Sequence, residues 1–197
     1  MKKLLFLLFF VLVFISCTQQ SNSIEDSLTI QLDSVEDFTF TEGIWNVTLE
    51  QKSNIPEQET NSSATTNYKY EITGTNPDSK VIRTLLSGTS IAKFNNVNIY
   101  QQTKNAIEQS QDNGTLPSGY LYSFNDSNLT MTCTFTDEML NSYEMPYKDI
   151  YTQFYSAGME YSNINILRND EKTIFIFSAD TRFSNVTGSL KYKFIKQ

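Results

Sequence analysis

Apolar and polar residues alternate along most of the chain. In Trp45, Val47 and Leu49 the odd positions are apolar while Asn46, Thr48 and Glu50 are polar, the period of a strand with one buried face. Tyr68, Tyr70 and Ile72 repeat it. Tyr120, Tyr122 and Phe124, a turn at Asn125-Asp126-Ser127-Asn128, and then Leu129, Met131, Cys133 and Phe135 form the clearest hairpin. A second hairpin runs from Ile164 to Leu167, turns at Arg168-Asn169-Asp170-Glu171 and returns through Thr173 to Phe177. Its return strand is apolar on both faces and is expected at the centre of a sheet. In the last strand Leu190, Tyr192 and Phe194 are expected inward, with Lys191 and Lys193 outward.

Other stretches carry weaker signals. Ser34 is placed to cap a short helical turn before Phe38, with Asp37 near the first-turn dipole. Val81 to Leu86 and Ile91 to Tyr100 read as strands around a turn at Ser87-Gly88-Thr89, although Val81, Ile82, Leu85 and Leu86 also fit a helix face. Residues Lys104 to Leu116 are polar and read as a long loop with one helical turn at most. One helix is expected after Pro146, with Tyr147, Ile150, Tyr151, Phe154 and Tyr155 on one face and Gly158 closing it. About eight or nine strands, mostly linked as neighbours, predict an all-β, antiparallel, up-and-down β-barrel with one short helix; the alternative is a β-sandwich.

The N-terminus has a different pattern. Met1-Lys2-Lys3 is positive, Leu4 to Ile15 is an unbroken apolar run, and Ser16-Cys17 follows, which is the layout of a secretory signal. Twelve apolar residues on a helix rise only about 18 Å, too little for a hydrocarbon core of about 30 Å. Phe14-Ile15-Ser16-Cys17 resembles the bacterial lipobox. That resemblance implies a signal peptide over 1–16, a diacylated Cys17 as the first mature residue, and a protein held on a membrane of the bacterial cell envelope, at the outer membrane or cell surface. Residues 17–26 read as a polar tether and 27–197 as the β-barrel domain.

Charge and cysteine content narrow the picture further. Loss of 16 residues leaves 181 of the 197, and loss of Lys2 and Lys3 turns a net charge of −7 into −9. Such an acidic chain does not invite nucleic acid or anionic head groups, so attachment is expected to rest on the acyl anchor. With Cys17 committed to lipid, Cys133 is the remaining thiol, and no intramolecular disulfide is expected.

No catalytic machinery is legible. The chain has no histidine, which excludes His-based triads, Cys-His pairs, His-ligated zinc and a histidine pH switch. Cys133 alternates with Met131 and Phe135 and is expected in the core, inert. Ser90-Ile91-Ala92-Lys93 matches the S-x-x-K pattern of penicillin-recognising enzymes, but no KTG follows and the segment reads as a strand. The carboxylates of Asp137-Glu138, Glu57 and Glu59 sit in polar loops rather than across a cleft. Asp112-Asn113-Gly114 lacks the ligands of a calcium loop. Neither an enzyme, a metal site nor a cofactor is expected. The sequon-like tripeptides at Asn46, Asn128 and Asn185 are set aside because the lipobox implies a bacterial host.

What stands out instead is aromatic content, 11 Tyr and 14 Phe with a single Trp. Gly43-Ile44-Trp45, at the head of the first long strand and after a helical turn, resembles the lipocalin and wider calycin pattern. That resemblance implies that Trp45 plugs the closed end of an eight-stranded barrel beside Gly43, with Arg182 the candidate for the basic residue above it. The expected function is a membrane-anchored lipoprotein whose lipocalin-like barrel holds a small apolar or amphipathic ligand. Tyr147, Tyr151, Phe154 and Tyr155 are then candidates for the ligand mouth, with a helix packed flat on the barrel as the plainer alternative. The rival expectation is a non-enzymatic surface or periplasmic interaction protein, its barrel filled by its own rings and its loops meeting a protein partner.

Overall fold

The computed structural model describes residues 28–55, 60–74 and 80–197. The signal, lipobox and tether readings, and Glu57 and Glu59, lie outside the described residues. The strands are β1 (Ile30–Gln31), β2 (Gly43–Ile55), β3 (Thr60–Thr73), β4 (Lys80–Phe94), β5 (Tyr120–Asn125), β6 (Thr130–Phe135), β7 (Ser142–Pro146), β8 (Glu160–Arg168), β9 (Ile174–Phe183) and β10 (Val186–Lys196). One α-helix, α1 (Val97–Asp112), lies between β4 and β5, and 3₁₀ segments cover Val35–Asp37 and Tyr147–Phe154.

All pairings are antiparallel, in the order β1-β8-β9-β10-β2-β3-β4-β6-β5, with β7 also on β4. Two meanders, β2-β3-β4 and β8-β9-β10, are joined where the last strand pairs with the first long one. Period-two alternation sets the register: Val47 lies opposite Phe194 on one side and Tyr68 on the other, and Phe194 opposite Phe175. A one-residue slip would turn all of these rings to solvent. The chain is thus an antiparallel all-β protein with one short helix. Among the described residues no strand of the β1-β8 edge pairs with β5 or β7, so hydrogen bonding does not close the sheet into a barrel and strand pairing alone does not separate barrel from sandwich. The segment from Tyr147 to Met159 makes the connection between β7 and β8.

Two local expectations are corrected. Ser87-Gly88-Thr89 is not a turn: β4 runs unbroken from Lys80 to Phe94, paired to β3 on one side and to β7 and β6 on the other. The register steps there, between Lys69 and Tyr70 opposite Leu85 and Ser87, which is a bulge rather than a reversal. Gly88 is needed for space, since a Cβ would lie 2.1 Å from the Phe135 ring. The second correction is α1, which occupies most of the expected 104–116 loop and the end of the expected strand 91–100. Asn96 caps it, its Oδ1 accepting from the N–H of Asn98 and Ile99 at 2.9 and 3.2 Å. Tyr100, Thr103 and Ile107 form its buried face.

The core has two parts on the inner face. The larger joins Trp45, Val47, Leu49, Phe175, Phe177 and Phe194 to the Val35–Phe40 segment and the second 3₁₀ segment. The smaller lies under α1, where Tyr100 and Ile107 meet Ala64, Ala92 and Met131. α1 is fastened to the β5–β6 turn, where Asp126 accepts from the Tyr100 hydroxyl at 2.6 Å and from Lys104 at 2.9 Å.

Candidate functional site

Trp45 lies at one end of the inner face, opposite Lys196. It is fully buried, edge-on to Phe40 at 5.4 Å and Phe38 at 6.0 Å between centroids, and its indole N–H donates to the Thr41 carbonyl at 2.9 Å. Phe38 and Phe40 arrive there because Ser34 forms a capping box with Asp37 that sets the exit of the preceding turn. Gly43 has φ +129°, open to glycine alone without strain, and a Cβ would stand 3.0 Å from Lys196 Cε. The basic residue at this end is Lys196, opposite Trp45 in register and donating to Thr41 Oγ1 at 2.8 Å. Arg182 lies at the far end of β9, opposite Glu160 and Thr187.

The four aromatics at 147–155 have separate places. The helical stretch is 3₁₀ and ends at Phe154, with Tyr155 beyond it and Gly158, at φ +78°, further on. Tyr147 and Tyr151 are buried rivets rather than mouth residues: their hydroxyls donate to the carbonyls of Phe40 and Phe38 respectively, the former at 3.2 Å and the latter at 2.5 Å. Burial holds both phenols above their usual range, and they stay neutral. Phe154 is buried among Phe175, Phe177, Tyr192 and Phe194 at 5.1 to 5.6 Å. Tyr155 is exposed, edge-on to Tyr161 and Phe177.

At the end of the inner face away from Trp45 lies a cavity of about 220 Å³. Ala64, Phe154, Phe183, Leu190 and Tyr192 wall it, and Met159 belongs to the loop beside it. The Tyr161 hydroxyl accepts from the Ser156 N–H at 2.7 Å and holds that loop in place. Only Phe154 of the four expected mouth aromatics lines the cavity. Its other walls come from β2, β3, β9 and β10 and from the loop before β8, and alternation marks the strand residues as inward but does not say that the space above them is empty. A polar groove of about 760 Å³ adjoins it, sharing Lys52, Ser53, Ser62, Thr181, Thr187 and Ser189.

The remaining reactive candidates lie on β4 and β6. Ser90 and Lys93 lie on opposite faces of β4, the serine buried and the lysine exposed, so the S-x-x-K pair does not meet. Cys133 is buried, and burial pushes its thiol up to about 11, which leaves it a poor nucleophile at neutral pH. Among the described residues no three His, Cys, Asp or Glu side chains group to hold a metal ion. Comparison of the chain with protein-family models, curated proteins and solved structures finds no match.

Proposed function

We propose that this protein is a lipid-anchored bacterial envelope protein whose lipocalin-like β domain binds a small apolar or amphipathic molecule at the end away from Trp45. The observation that carries the reading is the apolar cavity between Phe154, Leu190 and Tyr192, at the opposite end of β2 and β10 from a fully buried Trp45. At about 220 Å³ it is smaller than the pockets of about 300 Å³ and more that enclose a drug-sized ligand. It suits one slender apolar group, with the rest of the molecule in the polar groove. Trp45 is structural in this reading and touches no ligand.

The test is native mass spectrometry of the protein from its own host, with and without Ala64→Phe, which fills the cavity floor. A co-purifying molecule present in the parent and absent from a folded variant supports the reading; a parent that carries nothing, or a ligand indifferent to the filled cavity, overturns it. One observation favours the rival, a non-enzymatic interaction protein: rings of the chain itself fill the inner face at the Trp45 end. In that case the loops and not the cavity would bind, and Ala64→Phe would leave partner binding intact.

A further inference from the structure

Hydroxyls from three strands stand in one row at the edge of the cavity. Register sets Thr181 of β9 opposite Gly188 of β10, Gly188 opposite Ser53 of β2, and Ser53 opposite Ser62 of β3. The next row toward Trp45 is Ala179, Leu190, Gln51 and Ala64, two residues along each strand, so both rows share the inner face. Ser53, Ser62 and Thr181 line the cavity and the polar groove alike, which places them where the two meet. Gly188 keeps the middle of the row bare: a Cβ there would overlap the Lys52 carbonyl oxygen, and Thr181 Oγ1 stands 3.3 Å from the same point. Among the described residues none of the three hydroxyls has a hydrogen-bond partner.

The same alternation keeps charge off this row. Lys52 lies between Gln51 and Ser53, Asp180 and Arg182 flank Thr181, and Lys93 is opposite Ser63, so all four side chains belong to the other face of the sheet. Lys52 is the single charged residue in the cavity's described lining, and Arg182 has Glu160 across from it. An ionised head in the cavity would lose its water and meet no counter-charge, which opposes binding. A hydroxyl head is matched instead: seated over Gly188, it has Thr181 on one side and Ser53 on the other, each one strand spacing of about 4.8 Å away. Leu190 and Tyr192 follow Gly188 deeper along β10, roughly 7 and 13 Å on, and offer an apolar wall to the chain. We propose that the cavity selects an uncharged amphiphile, its alkyl chain against Leu190, Tyr192 and Phe154 and its hydroxyl head bonded to Ser53, Ser62 and Thr181. This rests on the ligand-binding reading above and adds the charge of the head and the residues that select it.

The experiment is calorimetric titration of the full chain at about pH 7 with 1-octanol, octanoate and octylammonium, which share an alkyl chain and differ in the charge of the head. 1-Octanol is expected to bind at least about tenfold tighter than either ion. In the triple variant Ser53→Ala, Ser62→Ala, Thr181→Val, with a thermal melt as folding control, 1-octanol should weaken at least about fivefold, as for a lost hydrogen bond. Thr181→Val alone, close to the parent in shape, should weaken it about twofold or more and carries the test if the triple variant does not fold. Either ion binding as tightly as 1-octanol overturns the uncharged head and leaves the ligand-binding reading standing. Undiminished 1-octanol binding in a folded variant overturns the assignment to these hydroxyls. Binding by none of the compounds overturns both.

Discussion

Replacing Trp45 with alanine should cost the domain most of its stability. The indole is fully buried, and its removal leaves a cavity that its neighbours cannot collapse into. Phe38 and Phe40 are held in place by Tyr151 and Tyr147 bonding their carbonyls, and Lys196 and Thr41 fix the strand ends. Large-to-small aromatic changes of this kind cost about 3–5 kcal/mol, and the lost N–H to Thr41 contributes about 1 kcal/mol more. A loss of about 4–6 kcal/mol is therefore expected, a large part of the 5–15 kcal/mol typical of a whole domain. Urea unfolding followed by far-UV circular dichroism reads it, since the variant has no tryptophan to report fluorescence. With a slope of about 2 kcal/mol/M, the midpoint should fall by about 2–3 M. Trp45→Phe, which keeps a ring against Phe40, should lose less than half as much. A midpoint shift below about 0.5 M for the alanine would refute the claim that this end of the sheet is rigidly plugged.

Four further outcomes are expected. The Tyr100 and Lys104 contacts hold the Asp126 carboxyl below its ordinary range, so the docking of α1 is complete above the unfolded value near 4 and weakens as pH falls below it. Hydrogen exchange of α1 amides should speed up severalfold in that acid range, and already at neutral pH in Asp126→Asn. The Cys133 thiol, raised from about 9 to about 11 by burial, favours the folded state below about pH 9 and ceases to do so as pH rises toward 11. Iodoacetamide at pH 8 should label it in urea and hardly at all in the native protein. The Ser90 hydroxyl is buried without a hydrogen-bond partner, so Ser90→Ala should stabilise the fold by about 1 kcal/mol in the same urea assay; destabilisation would show that the hydroxyl is bonded. Cys17→Ser should move the chain out of the membrane fraction, and continued sedimentation with membranes would rule out the acyl anchor.

Where neighbouring residues suffice, the fold is legible in the sequence. The β5–β6 and β8–β9 hairpins, the inward rings of β10 and the Ser34 cap all follow from alternation and turn chemistry within about ten residues. α1 was hidden because its buried face is only Tyr100, Thr103 and Ile107, one of them a threonine, among polar residues that equally suit a loop. Asn96 followed by apolar residues four and eleven places on was the signal available. β4 was cut in two by Ser87-Gly88-Thr89, whose glycine makes room for Phe135 on a strand far along the chain. No local pattern records such a contact.

The sequence by itself determined the all-β antiparallel class, the inward set of each strong strand, the burial of Trp45 and the absence of histidine chemistry. Those properties depend on period and composition, which are local or additive. Tertiary structure alone decided where the inner face is filled and where it is open, because that depends on which segments cross over it. Likewise, it gathered Lys52, Lys93 and Arg182 from β2, β4 and β9 around one groove. Net charge is a sum over the chain, whereas the place of each charge follows from strand register and topology, so an acidic sequence can set three cations along one groove.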